Sequence, residues 1–265
     1  MDNTVKEPLI HLSKREDMSF GKKWLVRIIA ILLSLIVCAG FIFIIIKMNP
    51  VEVYEGIVEG AVGTGRRFWV TARDALTLLC VAVAVTPAFK MKFWNIGAEG
   101  QILMGCVASA AMMIYAGNAL PTGLLLVLMF VCSFIAGGIW GIIPAFFKAR
   151  WNTNETLFTL MLNYVAMQVV TFCIVYWENP AGSNSVGIIN APTRAGWLPQ
   201  LFGLDYGWNL AIVLLLTVLM FIYMKRTKHG YEIAVVGESE NTARYAGINV
   251  GKVIVRTVGI SGGIA

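Results

Sequence analysis

Long apolar segments, each bounded by short polar ones, follow one another along the chain from residue 24 onward. Six of them have about 17 to 24 residues, the length with which an α-helix crosses a hydrocarbon core of about 30 Å. These predicted spans are residues 24–46, 69–89, 95–115, 124–147, 155–177 and 208–224. Residues 253–265 are apolar again and the chain stops within them, so we expect the start of a seventh span in a fragment of a longer protein. The pattern predicts an all-α, polytopic integral membrane helical bundle.

The polar segments between the spans complete the predicted organisation. Residues 1–23 form a polar, basic tail, and residues 24–265 form an incomplete transmembrane domain. Within that domain, residues 178–207 are rich in Pro and Gly and predict an external loop, whereas the polar and basic residues 225–252 predict a cytoplasmic loop. Residues 52–59 alternate Glu with apolar residues, a pattern typical of an amphipathic stretch at the membrane surface.

Composition and charge exclude other classes of protein. With 58% hydrophobic and 14% charged residues and a mean hydropathy of +0.73, the chain is too apolar for a water-soluble globule. Of its 21 Lys and Arg residues, 16 fall on the side of the N-terminus and five on the other. The positive-inside rule then predicts a multi-pass plasma-membrane protein with a cytoplasmic N-terminus, and the net charge of +6 reflects basic loops rather than nucleic-acid binding. The five cysteines lie singly in apolar segments, so we expect neither disulfides nor a metal site.

The first candidate for function is the polar start of the third span. Asn95, Glu99 and Gln101 stand there beside Gly97 and Gly100, and polar side chains in a membrane are costly unless they face a cavity or another helix. Such a segment suits a transport pathway built from a broken helix. The alternative is that Glu99 only complements the helix dipole in a first turn. Both interpretations stay open.

The second candidate is the start of the fifth span. Asn152, followed three residues later by Glu155, resembles a capping box with Asn152 as the cap. Further along, Asn163 and Tyr164 point in neighbouring directions, while Gln168 lies on another face. The alternative to a functional role is interhelical hydrogen bonding that holds the bundle together.

The third candidate lies in the predicted cytoplasmic loop. Ser239 is placed to cap a short helix with Glu240 in its first turn, and Gly247 is placed to end it. The functional interpretation is a docking helix, and the alternative is an ordinary surface loop. The side chains expected to enter a partner's groove are Ala243, Tyr245 and Ala246.

Other motifs indicate architecture or exclude chemistry. Gly137 and Gly141 in the fourth span have the spacing that allows close helix packing. The chain has no GxxxxGK[ST] phosphate-binding loop, and its spans contain no HExxH, GxSxG or carboxylate pair. We therefore expect a transport subunit without an ATPase site of its own, and no enzyme.

Three motifs in this order resemble those of permease subunits of ABC importers for nucleosides, which are related to simple-sugar and branched-chain amino-acid permeases. The motifs are Phe93-Trp94-Asn95-Ile96-Gly97-Ala98-Glu99-Gly100-Gln101, then Asn154-Glu155-Thr156 with Thr159 to Tyr164, then Gly230-Tyr231 with Ala243 to Ile248. The resemblance covers the chain from Phe93 to its end. One departure is Ser239-Glu240, where the family commonly has Asn-Pro.

The resemblance implies partners and roles. The partners would be a homologous second permease subunit, a cytoplasmic ABC ATPase that holds ATP and Mg, and an extracellular lipid-anchored substrate-binding protein; the chain itself would bind no cofactor. The segment that would couple to the ATPase consists of Glu238, Ser239, Glu240, Ala243, Arg244, Tyr245, Ala246 and Gly247.

The leading hypothesis is an importer subunit that moves nucleosides by alternating access, with Asn95, Glu99, Gln101 and Asn163 near the substrate pathway. A related hypothesis is an ABC permease for simple sugars or branched-chain amino acids. From other classes, an ion-gradient-driven secondary transporter would use Glu99 as its proton or cation site, and a membrane anchor would need none of these polar residues.

Overall fold

The computed structural model describes residues 19–201 and 206–265, and every regular element in these ranges is a helix. Six of the helices are long and apolar enough to cross a membrane, which confirms the predicted all-α polytopic bundle. Most of the predicted N-terminal tail, residues 1–18, and residues 202–205 of the predicted external loop lie outside the described residues.

The helices follow the predicted order, with one addition, α8, near the C-terminal end. Their bounds are α1 (Phe20–Phe41), which continues as a π-helical turn (Ile42–Ile46), α2 (Pro50–Val62), α3 (Gly65–Lys90), α4 (Ala98–Ala116), α5 (Thr122–Trp151), α6 (Glu155–Tyr176), α7 (Gly207–Arg226), α8 (Lys228–Glu238), α9 (Glu240–Tyr245) and α10 (Val250–Ile264). The described part of 178–207 contains no helix before α7, as the loop prediction required.

The described residues divide into two compact units, residues 19–68 and residues 69–265 without 202–205. In the first unit, Lys47 ends the π-helical turn in the left-handed conformation (φ 57°). The Asn49 side chain then caps α2 by accepting a hydrogen bond from the Val51 amide. The Tyr54 hydroxyl donates to the Leu35 carbonyl at 2.6 Å and joins α2 to α1. The predicted amphipathic stretch is thus a helix, and its position at a membrane surface stays a prediction.

In the second unit, α5 is the central helix, against which α4 and α10 pack most extensively. The close approach of α10 depends on residues without side chains: a Cβ atom on Gly141 would lie 2.8 Å from the Val258 carbonyl oxygen, and one on Gly137 would collide with that of Gly262. Because these glycines lack Cβ atoms, the backbones of the two helices can approach closely. The close approach strengthens the dispersion attraction between the helices. The predicted packing role of Gly137 and Gly141 is therefore confirmed.

One local prediction at the start of α6 was wrong. Asn152 does not cap α6; it ends α5 in the left-handed conformation (φ 51°). The cap is Asn154, whose side-chain oxygen accepts a hydrogen bond from the Leu157 amide. Asn tolerates both positions, because its short side chain suits left-handed backbone as well as an N-cap.

Helix α8 was not expected, because residues 225–252 were interpreted by their average polarity. Its buried residues His229, Ile233, Val236 and Gly237 recur at intervals of three and four, which is the helical period and was present in the sequence. Together with residues from α3, α5, α9 and α10, Ile233 and Val236 form a hydrophobic cluster. This cluster fixes the short helices to the ends of the long ones.

Candidate functional site

The chain breaks its helical path between α3 and α4, at the segment that carries the first group of predicted site residues. Lys92 adopts a left-handed conformation (φ 61°), and its neighbours Met91 and Phe93 turn inward into the hydrophobic cluster. Residues 95–97 then form a turn before α4 begins at Ala98. A non-helical segment needs other partners for its backbone groups, since unpaired backbone groups are costly in a membrane.

Asn95 and Gln101 supply part of these partners by pairing across the turn. The Asn95 amide nitrogen donates to the Gln101 side-chain oxygen at 3.2 Å, and the Gln101 amide nitrogen approaches the Asn95 oxygen at 3.4 Å. The same Asn95 oxygen accepts from the Gly97 amide at 3.0 Å. Both side chains are almost wholly buried, with 2% and 1% exposed. They therefore stabilise the turn from inside the protein.

Asn163 of α6 supplies the remaining partners from a distant part of the sequence. Its side-chain oxygen accepts from the Gly100 amide at 2.9 Å, and its nitrogen donates to the Ile96 carbonyl at 3.0 Å. A Cβ atom on Gly100 would lie 2.8 Å from that oxygen, and one on Gly97 would lie 2.9 Å from the Thr159 Cβ. The two glycines of the motif thus allow α6 to reach the broken segment.

Three of the four predicted pathway residues therefore meet in one cluster, which we call the amide cluster: Asn95, Gln101 and Asn163. The fourth, Glu99, lies in the first turn of α4 and is exposed, outside the cluster. That position matches the simpler interpretation of Glu99 as a charge that complements the helix dipole. Asn95 and Gln101 bond to each other, and Asn95 and Asn163 bond to backbone groups of the turn. Each such bond contributes about 1 kcal/mol net to holding the break in place.

A cavity of ≈ 910 Å³ lies between α4, α5 and α7 and reaches the segment 189–198. Its wall includes Gln101, so it adjoins the amide cluster. Gly105 and Ser109 follow Gln101 at intervals of four and lie on the same face of α4. On α5, Ser133 bonds to Ser109 and donates to the Gly105 carbonyl at 3.0 Å.

Apart from Gln101, sequence reasoning missed polar residues of this cavity. Ser109, Ser133 and Asn209 line it, and all three lie within the helices α4, α5 and α7. Isolated polar residues inside apolar spans were the available signal. What the sequence could not supply is which of them share a cavity, since they come from three separate helices.

The short helix predicted after Ser239 is present as α9, with the predicted ends. The Ser239 hydroxyl accepts from the Thr242 amide at 3.3 Å, Glu240 stands in the first turn, and Gly247 leaves the helix in the left-handed conformation (φ 76°). Arg244 approaches Glu240 at 3.5 Å on the exposed side.

The prediction that Ala243 enters a partner's groove was wrong. Ala243 is fully buried within its own chain, as part of the hydrophobic cluster, and offers no surface to a partner. It is the residue by which α9 attaches to the rest of the protein. The exposed face of α9 and its C-cap includes Arg244, Tyr245 and Ala246, together with Glu240, Asn241 and Thr242. Tyr245 is 94% exposed.

Helix α8 connects this exposed face to the break between α3 and α4. At Gly237, α8 lies directly against the Lys90 carbonyl group at the end of α3, and a Cβ atom there would lie 3.2 Å from the Met91 Cα. On its other side, the buried His229 contacts Thr257 of α10 at 3.2 Å and Glu232 at 3.2 Å. Through Gly237, the two short helices therefore contact the residues that lead into the amide cluster.

Comparisons with known proteins identify a family for this chain. Residues 69–265 match the protein family described as branched-chain amino acid transport system / permease component. The chain is 30% identical over 248 residues to the guanosine ABC transporter permease protein NupP of Bacillus subtilis, covering 91% of this chain and 69% of that protein.

Two further relatives carry different substrate names. The chain is 28% identical over 254 residues to the nucleoside ABC transporter permease protein NupB of Lactococcus lactis, covering 92% of this chain and 69% of the relative. It is also 28% identical over 233 residues to the glucose ABC transporter permease protein TsgB13 of Haloferax volcanii, covering 82% and 59%. No solved structure matches the chain.

Proposed function

This chain belongs to the family of branched-chain amino acid transport system permease components, and we propose that it is the membrane-spanning subunit of an ATP-driven importer of nucleosides. The observation that carries the substrate class is the similarity to the guanosine permease over 91% of this chain. Membership of a permease family makes the chain a transport subunit rather than an enzyme. ATP and Mg would be held by a separate ATPase subunit.

The amide cluster and the adjoining cavity support a role on the substrate path. The cavity of ≈ 910 Å³ presents the hydroxyls of Ser109 and Ser133 and the amides of Gln101 and Asn209 along mostly apolar walls. Hydroxyl and amide groups suit the ribose and base edge of a nucleoside, and apolar walls suit the faces of the base. In this proposal Asn95 and Asn163 set the position of Gln101 at the cavity wall, and Glu99 stays outside the path.

The cytoplasmic partner in this proposal is an ABC ATPase that docks on Arg244, Tyr245 and Ala246. These residues belong to the exposed face of α9 and its C-cap, while Ala243 anchors the helix from its buried side. Movement of α9 would reach the α3–α4 break through α8 and Gly237. A partner drives such a change only to the extent that it binds the two states of the permease differently. A homologous second permease and an external lipid-anchored binding protein complete the proposed assembly.

The test is uptake of labelled guanosine and adenosine by cells that carry the full-length gene together with its ATPase and binding protein. Uptake should require this gene and a working ATPase, and excess unlabelled ribose or leucine should not compete. Uptake that is unchanged in a strain lacking only this gene would overturn the nucleoside assignment. Competition by glucose would favour the sugar alternative, to which the relationship with the glucose permease points.

A second test separates the ATP-driven mechanism from one driven by an ion gradient. Tyr245→Ala should leave the permease folded but weaken its association with the ATPase about tenfold, because an exposed aromatic residue is a typical anchor at such an interface. Tyr176→Ala, at an exposed tyrosine that ends α6, is the matched control and should leave the association unchanged. Uptake that persists without the ATPase and collapses with the proton gradient, or that is lost in Glu99→Gln, would favour the secondary transporter.

A further inference from the structure

A second cavity, separate from the amide cluster, lies in the surface of the protein between α5 and α10. This groove has a volume of ≈ 860 Å³. Its floor is formed where Gly138 and Gly259 bring the two helices together, since a Cβ atom on Gly138 would lie 3.2 Å from the Gly259 carbonyl oxygen. Its walls carry Ile135, Ile139 and Ile142 of α5, each between 40% and 56% exposed.

One end of the groove is strongly basic. Arg150, from the last turn of α5, and Lys252 and Arg256 of α10 line it together. Lys252 and Arg256 are one helical turn apart, so Arg256 stands about 6 Å further along the groove than Lys252. Asn249, which caps the positive end of the α10 dipole, lines the same end.

These three cations have no carboxylate partner among the described residues. The ion pairs in that part of the chain use other residues, including Lys148, which pairs with Glu155 at 3.0 Å close to Arg150 in sequence. Three neighbouring cations at the positive end of a helix repel one another, and a bound anion would remove that repulsion.

We propose that the groove between α5 and α10 binds an anionic phospholipid. Its phosphate would lie among Arg150, Lys252 and Arg256, and an acyl chain would extend along the isoleucine wall over Gly138 and Gly259. Basic pockets between membrane helices are typical sites for such headgroups. A soluble phosphate would satisfy the cations but would not occupy the apolar walls, whereas a neutral lipid would leave the cations unpaired.

The site is distinct from the proposed substrate path and does not depend on the nature of the transported solute. It requires only that α5 crosses a membrane, for which its length and hydropathy are suited. Occupation would fix the spacing of α5 and α10 at the end where α10 meets the hydrophobic cluster. We therefore expect the lipid to stabilise the permease more than to change its selectivity.

The test uses the full-length permease in its assembly, purified in mild detergent and incubated with phosphatidylglycerol, phosphatidylcholine or inorganic phosphate. Native mass spectrometry should show retained phosphatidylglycerol, and its presence should raise the melting midpoint more than either of the other two. Retention should fall about fivefold for each cation removed in the series Arg150→Gln, Lys252→Gln and Arg256→Gln. Equal retention of both lipids by the wild type would overturn the proposal, as would stabilisation by inorganic phosphate alone.

A matched triple variant controls for general attraction between basic surfaces and anionic lipid. It carries Lys225→Gln, Arg226→Gln and Lys228→Gln, three exposed cations around the α7–α8 junction that do not line the groove. We expect it to retain phosphatidylglycerol like the wild type. If both triple variants lost phosphatidylglycerol equally, the retention would be due to nonspecific attraction by surface charge, and the proposed site would be refuted.

A charge-neutral variant keeps the proposal testable if the groove triple fails to fold. Ile139→Trp fills the exposed apolar wall without altering any cation and should displace the acyl chain, lowering retention of phosphatidylglycerol. Undiminished retention would place the lipid elsewhere. If the variant Ile139→Cys instead crosslinks to the second permease subunit, a protein helix fills the groove and the lipid proposal is wrong.

Discussion

Replacing Gly237 by alanine perturbs the contact by which α8 packs against the end of α3. The added methyl group would be directed at the Lys90 carbonyl group and would lie 3.1 Å from its carbon and 3.2 Å from the Met91 Cα. These neighbours are backbone atoms that cannot rotate away, in contrast to the end of a flexible side chain. Helix α8 must therefore shift by about 1 Å to restore ordinary carbon contacts.

The magnitude follows from comparison with a second glycine. Overpacking of this kind costs about 1–3 kcal/mol, while alanine in place of a helical glycine gains up to about 1 kcal/mol from helix propensity. In Gly251→Ala, near the start of α10, the nearest atom would be the Ala149 Cβ at an ordinary 3.5 Å. Both glycines lie close to helix ends, so the gain in helix propensity is similar in the two variants and largely cancels when their stabilities are compared. The difference between the variants isolates the overpacking cost of about 1–3 kcal/mol.

Two measurements on the reconstituted assembly check this reasoning. The melting midpoint of Gly237→Ala should fall below that of Gly251→Ala, and its nucleoside uptake per ATP hydrolysed should fall, because a displaced α8 transmits less of the movement of α9 to the α3–α4 break. ATPase binding should be retained, since the exposed face of α9 is unaltered. Equal midpoints and equal uptake per ATP in the two variants would refute a mechanical role for this contact.

Two other predictions concern the amide cluster and the α5–α10 contact. Asn163→Ala leaves the Gly100 amide and the Ile96 carbonyl without partners and should cost about 1–3 kcal/mol for each unpaired group. Asn163→Asp keeps the acceptor for Gly100 and should be less harmful. Thermal melts of both variants that coincide with that of the wild type would show that the cluster does not hold the break. Gly141→Val should separate α5 from α10 and lower the melting midpoint, because even a Cβ atom would lie 2.8 Å from the Val258 carbonyl oxygen. The control is Gly123→Val, where a Cβ atom has no neighbour within 4 Å. Equal melting midpoints of the two variants would contradict the close packing of α5 and α10.

The sequence by itself determined the features that depend on neighbours along the chain. Hydropathy over about 20 residues is sufficient to define a span, because a membrane helix satisfies its own backbone and needs only an apolar exterior. The ends of α9 were equally local, since Ser239 bonds to an amide three residues ahead and Gly247 needs only its own positive φ. Even α8 was encoded locally, in the helical spacing of Ile233, Val236 and Gly237.

Only the tertiary structure decided what the polar residues do. Asn163 and Gly100 are 63 positions apart, and no local pattern says that the side chain of one caps the backbone of the other. The same applies to Ala243, which looks like a surface residue in a polar loop until α8 and α10 are packed against its helix. Residues that are far apart in sequence do not interact until the chain folds. The pairing of the amides, the walls of both cavities and the buried side of α9 are therefore fixed by packing alone.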